Sequence, residues 1–285
     1  MRIVLLGAGG LLGRYAMEAL SGHEIVPVSR NPPAGGRALD AADIAGLDRL
    51  LSEAKPQKVI NCVKNSYSTD QAEKMREETW RSNVTVADNV AKLRERHGYS
   101  IVHISTDWVY EGADGQVYSE QSLPYPQNFY AYTKAVAEER IISRTDDYLI
   151  LRPTGIFGLD SRGGNFFMRT RSALAAGARL DAPSDQFSQP IFAGELARIM
   201  ARAISKNARG VYNAVSRECL SRYELALRFC DVFGWDKNLV RPVTSGARAM
   251  RIPKSLRLDI SKLERDVCEV RPLEKQLLSL KEECG

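Results

Sequence analysis

A doubly wound α/β fold, with a parallel sheet and a small C-terminal lobe, is the class predicted for this 285-residue chain. Three observations predict it. Short β-branched runs alternate with longer polar-apolar stretches through the first half, and a glycine-rich turn separates the first strand from the first helix. After about Arg152 that rhythm breaks, and glycine and proline recur at Gly155, Gly158, Gly163, Gly164, Pro183 and Pro190.

The elements follow in order. Residues 2–6, Arg-Ile-Val-Leu-Leu, read as a buried strand, and 11–20 as a helix. Residues 24–28 form the second strand, a helix lies near 44–54, and 58–62 form the third strand. Strands at 100–104 and 148–151 follow, each after a helical stretch. Strands spaced by helices imply right-handed crossovers and a parallel sheet. Residues 1–152 are thus expected to form a nucleotide-binding domain. Residues 153–285 are expected to be mainly a substrate lobe over the mouth of the sheet, with some segments returning to the core.

Composition removes several function classes. The chain is 44% apolar and 26% charged, which is ordinary for a globular domain and excludes disordered and fibrous classes. Its net charge of +5 is too small a surplus to argue nucleic-acid binding. The longest apolar run, residues 3–12, contains Gly7, Ala8, Gly9 and Gly10 and falls short of the roughly 18–20 residues a membrane span needs. No small-residue cleavage site follows it, so a secretory leader is not expected. Five cysteines without a C-x-x-C pair fit a reduced, cytoplasmic chain. His23, His97 and His103 lack ligand spacing, so neither a zinc site nor a His-dependent hydrolytic triad is expected.

The glycine turn carries the first chemistry. Gly7, Gly10 and Gly13 fit G-x-x-G-x-x-G between strand and helix, the context of a Rossmann dinucleotide site. The first glycine permits the turn, the second a close approach to pyrophosphate, and the third helix–strand packing. A plain tight turn would use the same glycines. Beyond the second strand the chain reads Val28-Ser29-Arg30-Asn31, with no carboxylate until Asp40. An NAD site usually has an acid there for the ribose 2′-hydroxyl, whereas Ser29 and Arg30 suit a 2′-phosphate. NADPH is therefore favoured over NADH, with Arg30 as a merely solvated loop residue the alternative.

Tyr130 and Lys134 form Y-x-x-x-K on a helical stretch, which places them on one face. A free tyrosine has a pKa of about 10. A neighbouring ammonium is expected to favour its phenolate and bring proton exchange toward neutrality. Thr106, at the end of the fourth strand, can hydrogen-bond the carbonyl oxygen that Tyr130 protonates. The pattern alone is common, and Tyr132 reads equally as a surface aromatic.

Taken together, the chain resembles an extended short-chain dehydrogenase/reductase, and within that group the dTDP-4-dehydrorhamnose reductases. The resemblance rests on S-T-D-W-V-Y-E-G at 105–112, Tyr118-Ser119-Glu120, Pro124 and N-F-Y-A-Y-T-K at 128–134. Asn61, Asp70 with Ala72-Glu73, Asn83, Gly164-Asn165-Phe166, Asp185-Gln186, Pro190 and the stretch 255–263 also match, so it covers roughly residues 1–275. It implies Thr106, Tyr130 and Lys134 as the catalytic trio, with Tyr130 the proton donor and Lys134 also on the nicotinamide ribose. It implies Gly7, Gly10, Leu11, Leu12 and Gly13 on the pyrophosphate side, Asp40 near the adenine, and Asn61, Cys62 and Val63 as strand-end backbone against the cofactor. Asp107 and Trp108 are implied for the sugar pocket, and Gly155, Asn165 and Arg169 are further candidates for substrate contact. The implied reaction is hydride transfer to the 4-keto group of a nucleotide-linked deoxysugar without a metal. A homodimer is compatible with the sequence.

One departure, a conservative one, lies against the cofactor, and the others concern the sugar. The family's N-A-A reads Asn61-Cys62-Val63, an aromatic expected near Gly155 is missing, and Trp108 stands where tyrosine is usual. A 4,6-dehydratase shares the trio but places Asp-Glu after the threonine, where this chain has Asp107-Trp108. An NAD-dependent epimerase is disfavoured by the missing carboxylate. A regulatory subunit like that of methionine adenosyltransferase shares the fold and the cofactor turn, so the trio does not exclude it. Between Leu151 and Leu180 stand Arg152, Arg162, Arg169, Arg171 and Arg179 against the single acid Asp160. That bias fits a diphosphate site or the solvated face of a helix.

Overall fold

The computed structural model describes residues 1–64, 69–160, 163–246 and 251–285. The predicted alternation is present: β1 (Arg2–Leu6), α1 (Leu11–Ala19), β2 (Glu24–Ser29), β3 (Arg37–Ala38), α2 (Ile44–Ala54) and β4 (Lys58–Asn61) follow one another. Then come the short α3 (Thr69–Ala72) and α4 (Arg76–Trp80), a π turn (Arg81–Thr85), α5 (Val86–His97) and β5 (Ser100–Ile104). Next are β6 (Val117–Tyr118), α6 (Phe129–Ile142) and β7 (Tyr148–Arg152). The remainder is α7 (Phe166–Ala175), β8 (Leu180–Pro183), β9 (Phe187–Ser188), α8 (Ala193–Ser205), β10 (Gly210–Asn213), β11 (Leu220–Ser221), α9 (Arg222–Phe233), β12 (Val240–Val243), β13 (Arg257–Leu258), α10 (Ser261–Asp266) and α11 (Leu273–Cys284).

Seven strands form one sheet in the order β10-β7-β5-β4-β1-β2-β3, every pairing parallel. The apolar runs explain why both faces are covered: successive side chains point to opposite sides of a strand. Ile3 and Leu5 join a core with α1, α8 and α11, while Val4 and Leu6 join another with α2, α5 and α6.

The outer strand β10 was not anticipated. Gly-Val-Tyr-Asn has only two apolar side chains, and its place is set by parallel pairing with β7. Helix α8 likewise packs on α1, so one core runs from the sheet into the C-terminal part. The rest of that part carries the two-stranded pairs β8–β12 and β9–β11, and β13 pairs with β6.

Helix ends follow local chemistry. Asn128 and Asn165 accept from the Ala131 and Met168 N–H groups to cap α6 and α7, and Ser221 with Glu224 forms a capping box on α9. The glycine turn and the loops after β4 and β5 lie at the carboxyl ends of the parallel strands, where open α/β sheets leave a crevice for ligands.

Candidate active site

The glycine turn after β1 is closed by backbone on every side. Gly7 has φ +83°, and a Cβ there would lie 2.8 Å from the Cys62 carbonyl carbon and oxygen. A Cβ on Gly13 would lie 2.3 Å from Gly7 O. Gly9, outside the G-x-x-G-x-x-G frame, is equally constrained, since its Cβ would meet Asn31 O at 2.6 Å. Its only mark in the sequence is being one glycine more than the motif needs.

Gly10 begins α1 in an extended conformation with no side-chain cap, and the first turn holds no acid. Leu12 is buried in the core and Leu11 packs against it, so both offer a ligand their backbone N–H groups alone. Ser29 Oγ, at the end of β2, is buried without a hydrogen-bond partner, 3.1 Å from where a Gly9 Cβ would stand. An orphaned hydroxyl beside an uncapped helix N-terminus fits a phosphate-bearing cofactor. Arg30 is exposed next to it. Asp40 is already engaged: it accepts from Ala42 N at 3.0 Å and pairs with Arg81 at 2.9 Å.

The third predicted patch meets the turn directly. Asn61 Oδ1 accepts the Val63 N–H at 3.0 Å and fixes the chain beyond β4, while its amide nitrogen lies 3.2 Å from His103 Nδ1. His103 is kept neutral by burial and then by the nearby Lys134 charge. Burial pushes the Cys62 thiol up to about 12, against a downward pull from Lys134. That thiol is protonated and not a nucleophile.

Opposite the turn, α6 presents Tyr130 and Lys134, and the loop after β5 presents Thr106, Asp107 and Trp108. Thr106 Oγ1 accepts the Trp108 N–H at 3.3 Å and donates to Asp107 Oδ1 at 3.1 Å. The Trp108 and Tyr130 rings meet edge to face, centroids 5.9 Å apart. Burial, then the charge of Asp107, pushes the Tyr130 phenol up to about 12, and a hydrogen bond with Thr106 pulls the other way. Tyr130 is therefore a protonated phenol. Burial and the Asp107 charge dominate the phenol, while Lys134 Nζ donates to Ile104 O at 2.5 Å. Burial lowers Lys134 to about 8, against an upward pull from Glu138. Tyr132 is half exposed against Trp80 and Phe129 and takes no part.

Asp107 is wholly buried, and burial raises its carboxyl to about 6, with Thr154, Thr106 and the Arg222 charge holding it down. Arg222 was not picked out from the sequence, and folding brings it here from the first turn of α9. A Cβ on Gly155, whose φ is +46°, would stand 3.4 Å from Arg222 Nη1. The guanidinium thus lies where an aromatic was expected. It sits over the Phe166 ring, 5.2 Å from the centroid, and Arg169 reaches the same ring at 6.0 Å.

The other arginines separate. Arg152 is buried and paired with Glu138, which removes it from any diphosphate site. Arg171 lies against Cys284 and Arg179 is exposed, while Arg162 falls outside the described residues. Asn165 uses both side-chain ends on its own fold, donating to Gly158 O at 2.9 Å and accepting from Met168 N at 3.3 Å. Its part is to aim α7.

Residues 1–283 match the family described as the RmlD substrate binding domain. The chain belongs to this family. RmlD relatives include a probable dTDP-4,6-dihydroxy-2-methyloxan-3-one 4-ketoreductase of Streptomyces antibioticus, 28% identical over 257 residues, covering 89% of this chain and 84% of that protein. The dTDP-4-dehydrorhamnose reductase of Mycobacterium tuberculosis is 27% identical over 263 residues, covering 89% and 83%. The crystal structure of a Bacillus anthracis dTDP-4-dehydrorhamnose reductase in complex with NADP superposes with a TM-score of 0.91 at 25% identity, covering 99% of each chain. The RmlD chain described here is thus an extended short-chain dehydrogenase/reductase. Among its described residues no helix is long and apolar enough to cross a membrane.

Proposed function

We propose that this protein reduces the 4-keto group of a nucleotide-linked deoxysugar with NADPH, as a dTDP-4-dehydrorhamnose reductase-like enzyme of nucleotide-sugar biosynthesis. The convergence of Thr106, Tyr130 and Lys134 beside the glycine turn carries this reading. Bound NADPH supplies the hydride. Backbone N–H groups from Gly7 to Gly13, including those of Gly10, Leu11 and Leu12, hold its pyrophosphate, Ser29 and Arg30 its 2′-phosphate, and Asn61, Cys62 and Val63 its inner edge. Asp40 reaches the adenine side as a carboxylate already paired with Arg81.

Tyr130 gives its phenolic proton to the sugar oxygen as that oxygen becomes an alkoxide. A phenol pushed up to about 12 is fully protonated at neutral pH, which suits a donor. The Thr106 hydroxyl turns from Asp107 to donate to the same oxygen, and the Lys134 ammonium favours the charge left on Tyr130 while orienting the nicotinamide ribose. Asp107 and Trp108 line the sugar, Gly155 gives it room, and Arg169 with Arg222 takes the diphosphate; Asn165 acts by placing α7. Residues 1–152 then serve the cofactor, and the segments of 153–285 outside the sheet serve the substrate. The reaction belongs to the cytoplasm, and the homodimer compatible with the sequence is read by light scattering.

The test is NADPH oxidation against a panel of nucleotide-linked 4-keto-6-deoxysugars. Turnover of at least one member is expected. No turnover of any, with NAD retained through purification, would replace this reading with an epimerase.

A further inference from the structure

Arg152 and Glu138 lie beneath the reacting groups and leave a question that the proposed chemistry does not answer. Glu138 follows Lys134 by one turn of α6, so the two side chains share a face. Both are buried, and in such surroundings an ammonium and a carboxylate at this spacing would ordinarily pair. Here Lys134 Nζ donates to Ile104 O at the end of β5. Glu138 is taken by another cation. Arg152, the last residue of β7, grips both its oxygens, Nε to Oε1 at 2.9 Å and Nη2 to Oε2 at 2.5 Å.

The guanidinium is itself held from behind. Its Nη1 donates to the Tyr110 hydroxyl at 2.6 Å, which in turn donates to Asn213 Oδ1 at 3.0 Å. Asn213 Nδ2 donates to Tyr118 O and Asp259 O, so the chain of bonds ends in the paired segments beyond the sheet. We propose that Arg152 is a lock: by occupying both oxygens of Glu138 it keeps that carboxylate off Lys134 and leaves the ammonium at the end of β5. Arg152 and Glu138 are positioning residues, and a planar two-pronged cation is required because a lysine could hold one oxygen only.

The proposal rests on Lys134 belonging to the site, so its test reads the lysine itself, in protein without substrate. Lys134 is faced by Glu138 from α6, by Cys62 and Lys64 from beyond the end of β4, and by His103 from β5. The readout is the pH midpoint of the Lys134 Cε resonance by heteronuclear NMR, assigned with Lys134→Gln; burial is expected to hold the wild-type midpoint down to about 8. Arg152→Gln frees Glu138 to reach Lys134, and the midpoint should rise by about one pH unit. Adding Glu138→Gln should cancel the rise. If Arg152→Gln does not fold, Arg152→Lys keeps the buried charge yet releases one oxygen, and should raise the midpoint by about half a unit. An unchanged or lowered midpoint in the folded single variant, or a rise that survives Glu138→Gln, overturns the lock. A strut with no influence on Lys134 would give that result. Because no turnover is measured, the outcome stands apart from whether a ketosugar is reduced.

Discussion

The glycine-turn wall of the cleft is made of backbone, whereas the wall beyond Tyr130 is made of side chains from well-separated stretches of chain. On the first, Gly7, Gly9 and Gly13 are pinned by carbonyl and peptide atoms of Cys62, Asn31 and Gly7 itself. On the second, Asp107, Thr154, Phe166, Arg169 and Arg222 come from the loop after β5, the end of β7, the start of α7 and the start of α9. A backbone wall recognises what every dinucleotide shares. A side-chain wall can change its ligand by single substitutions, and in this chain it places a guanidinium beside Gly155.

The largest effect should come where the two walls meet. Tyr130→Phe removes the proton donor and is expected to lower turnover by about 10²–10⁴-fold. NADPH affinity, read by fluorescence titration, should stay unchanged because the backbone wall is intact. Turnover within a few-fold of wild type would take Tyr130 out of the mechanism.

Gly13→Ala attacks the backbone wall alone. Its Cβ would stand 2.3 Å from Gly7 O, a contact that only backbone movement relieves. Overpacking of this kind costs about 1–3 kcal/mol, and NADPH should bind about tenfold or more weakly. Calorimetry on the variant decides it, and unaltered NADPH binding would mean that the turn does not hold the cofactor.

Arg222→Ala attacks the side-chain wall alone. The apparent KM for the nucleotide sugar should rise about tenfold, the order expected for losing one charge-assisted contact, with NADPH affinity unmoved. Activity should also become less sensitive to salt. A variant that loses stability but keeps its KM would make Arg222 a counter-ion of Asp107 and nothing more.

The smallest effect is one of stability. Asp107 titrates near 6 when folded, above the usual carboxyl range. The folded state therefore holds a proton that the unfolded chain releases, and stability falls as pH rises through that window. Asp107→Asn should be more stable than wild type by about 1–3 kcal/mol at pH near 8, and equal to it at about pH 3, below both pKa values. Denaturant melts at the two pH values check this, and a gain that is the same at both would assign it to packing.

Much of this comparison was legible beforehand. Parallel strands buried on both faces must be apolar runs, so β1, β2, β4, β5 and β7 could be read from residues 2–6, 24–28, 58–62, 100–104 and 148–151. Gly7, Gly10 and Gly13 lie within one turn, and Tyr130 and Lys134 within one turn of helix, so local spacing carried them too. Arg152 shows where such reasoning stops. Within an arginine-rich stretch it looks like a ligand for phosphate, but burial beside Glu138 gives it a different task.

The sequence by itself determined the fold class, the glycine turn and the placing of Tyr130 one helical turn before Lys134, because each depends on periodicity or spacing over a few residues. Only the tertiary structure decided which charges meet: Arg152 with Glu138, Lys134 with Ile104 O, and Arg222 with Gly155 and Asp107. Those encounters join residues on different elements, and the field at a buried group is set by whatever folding brings within a few ångströms, whatever the distance along the chain.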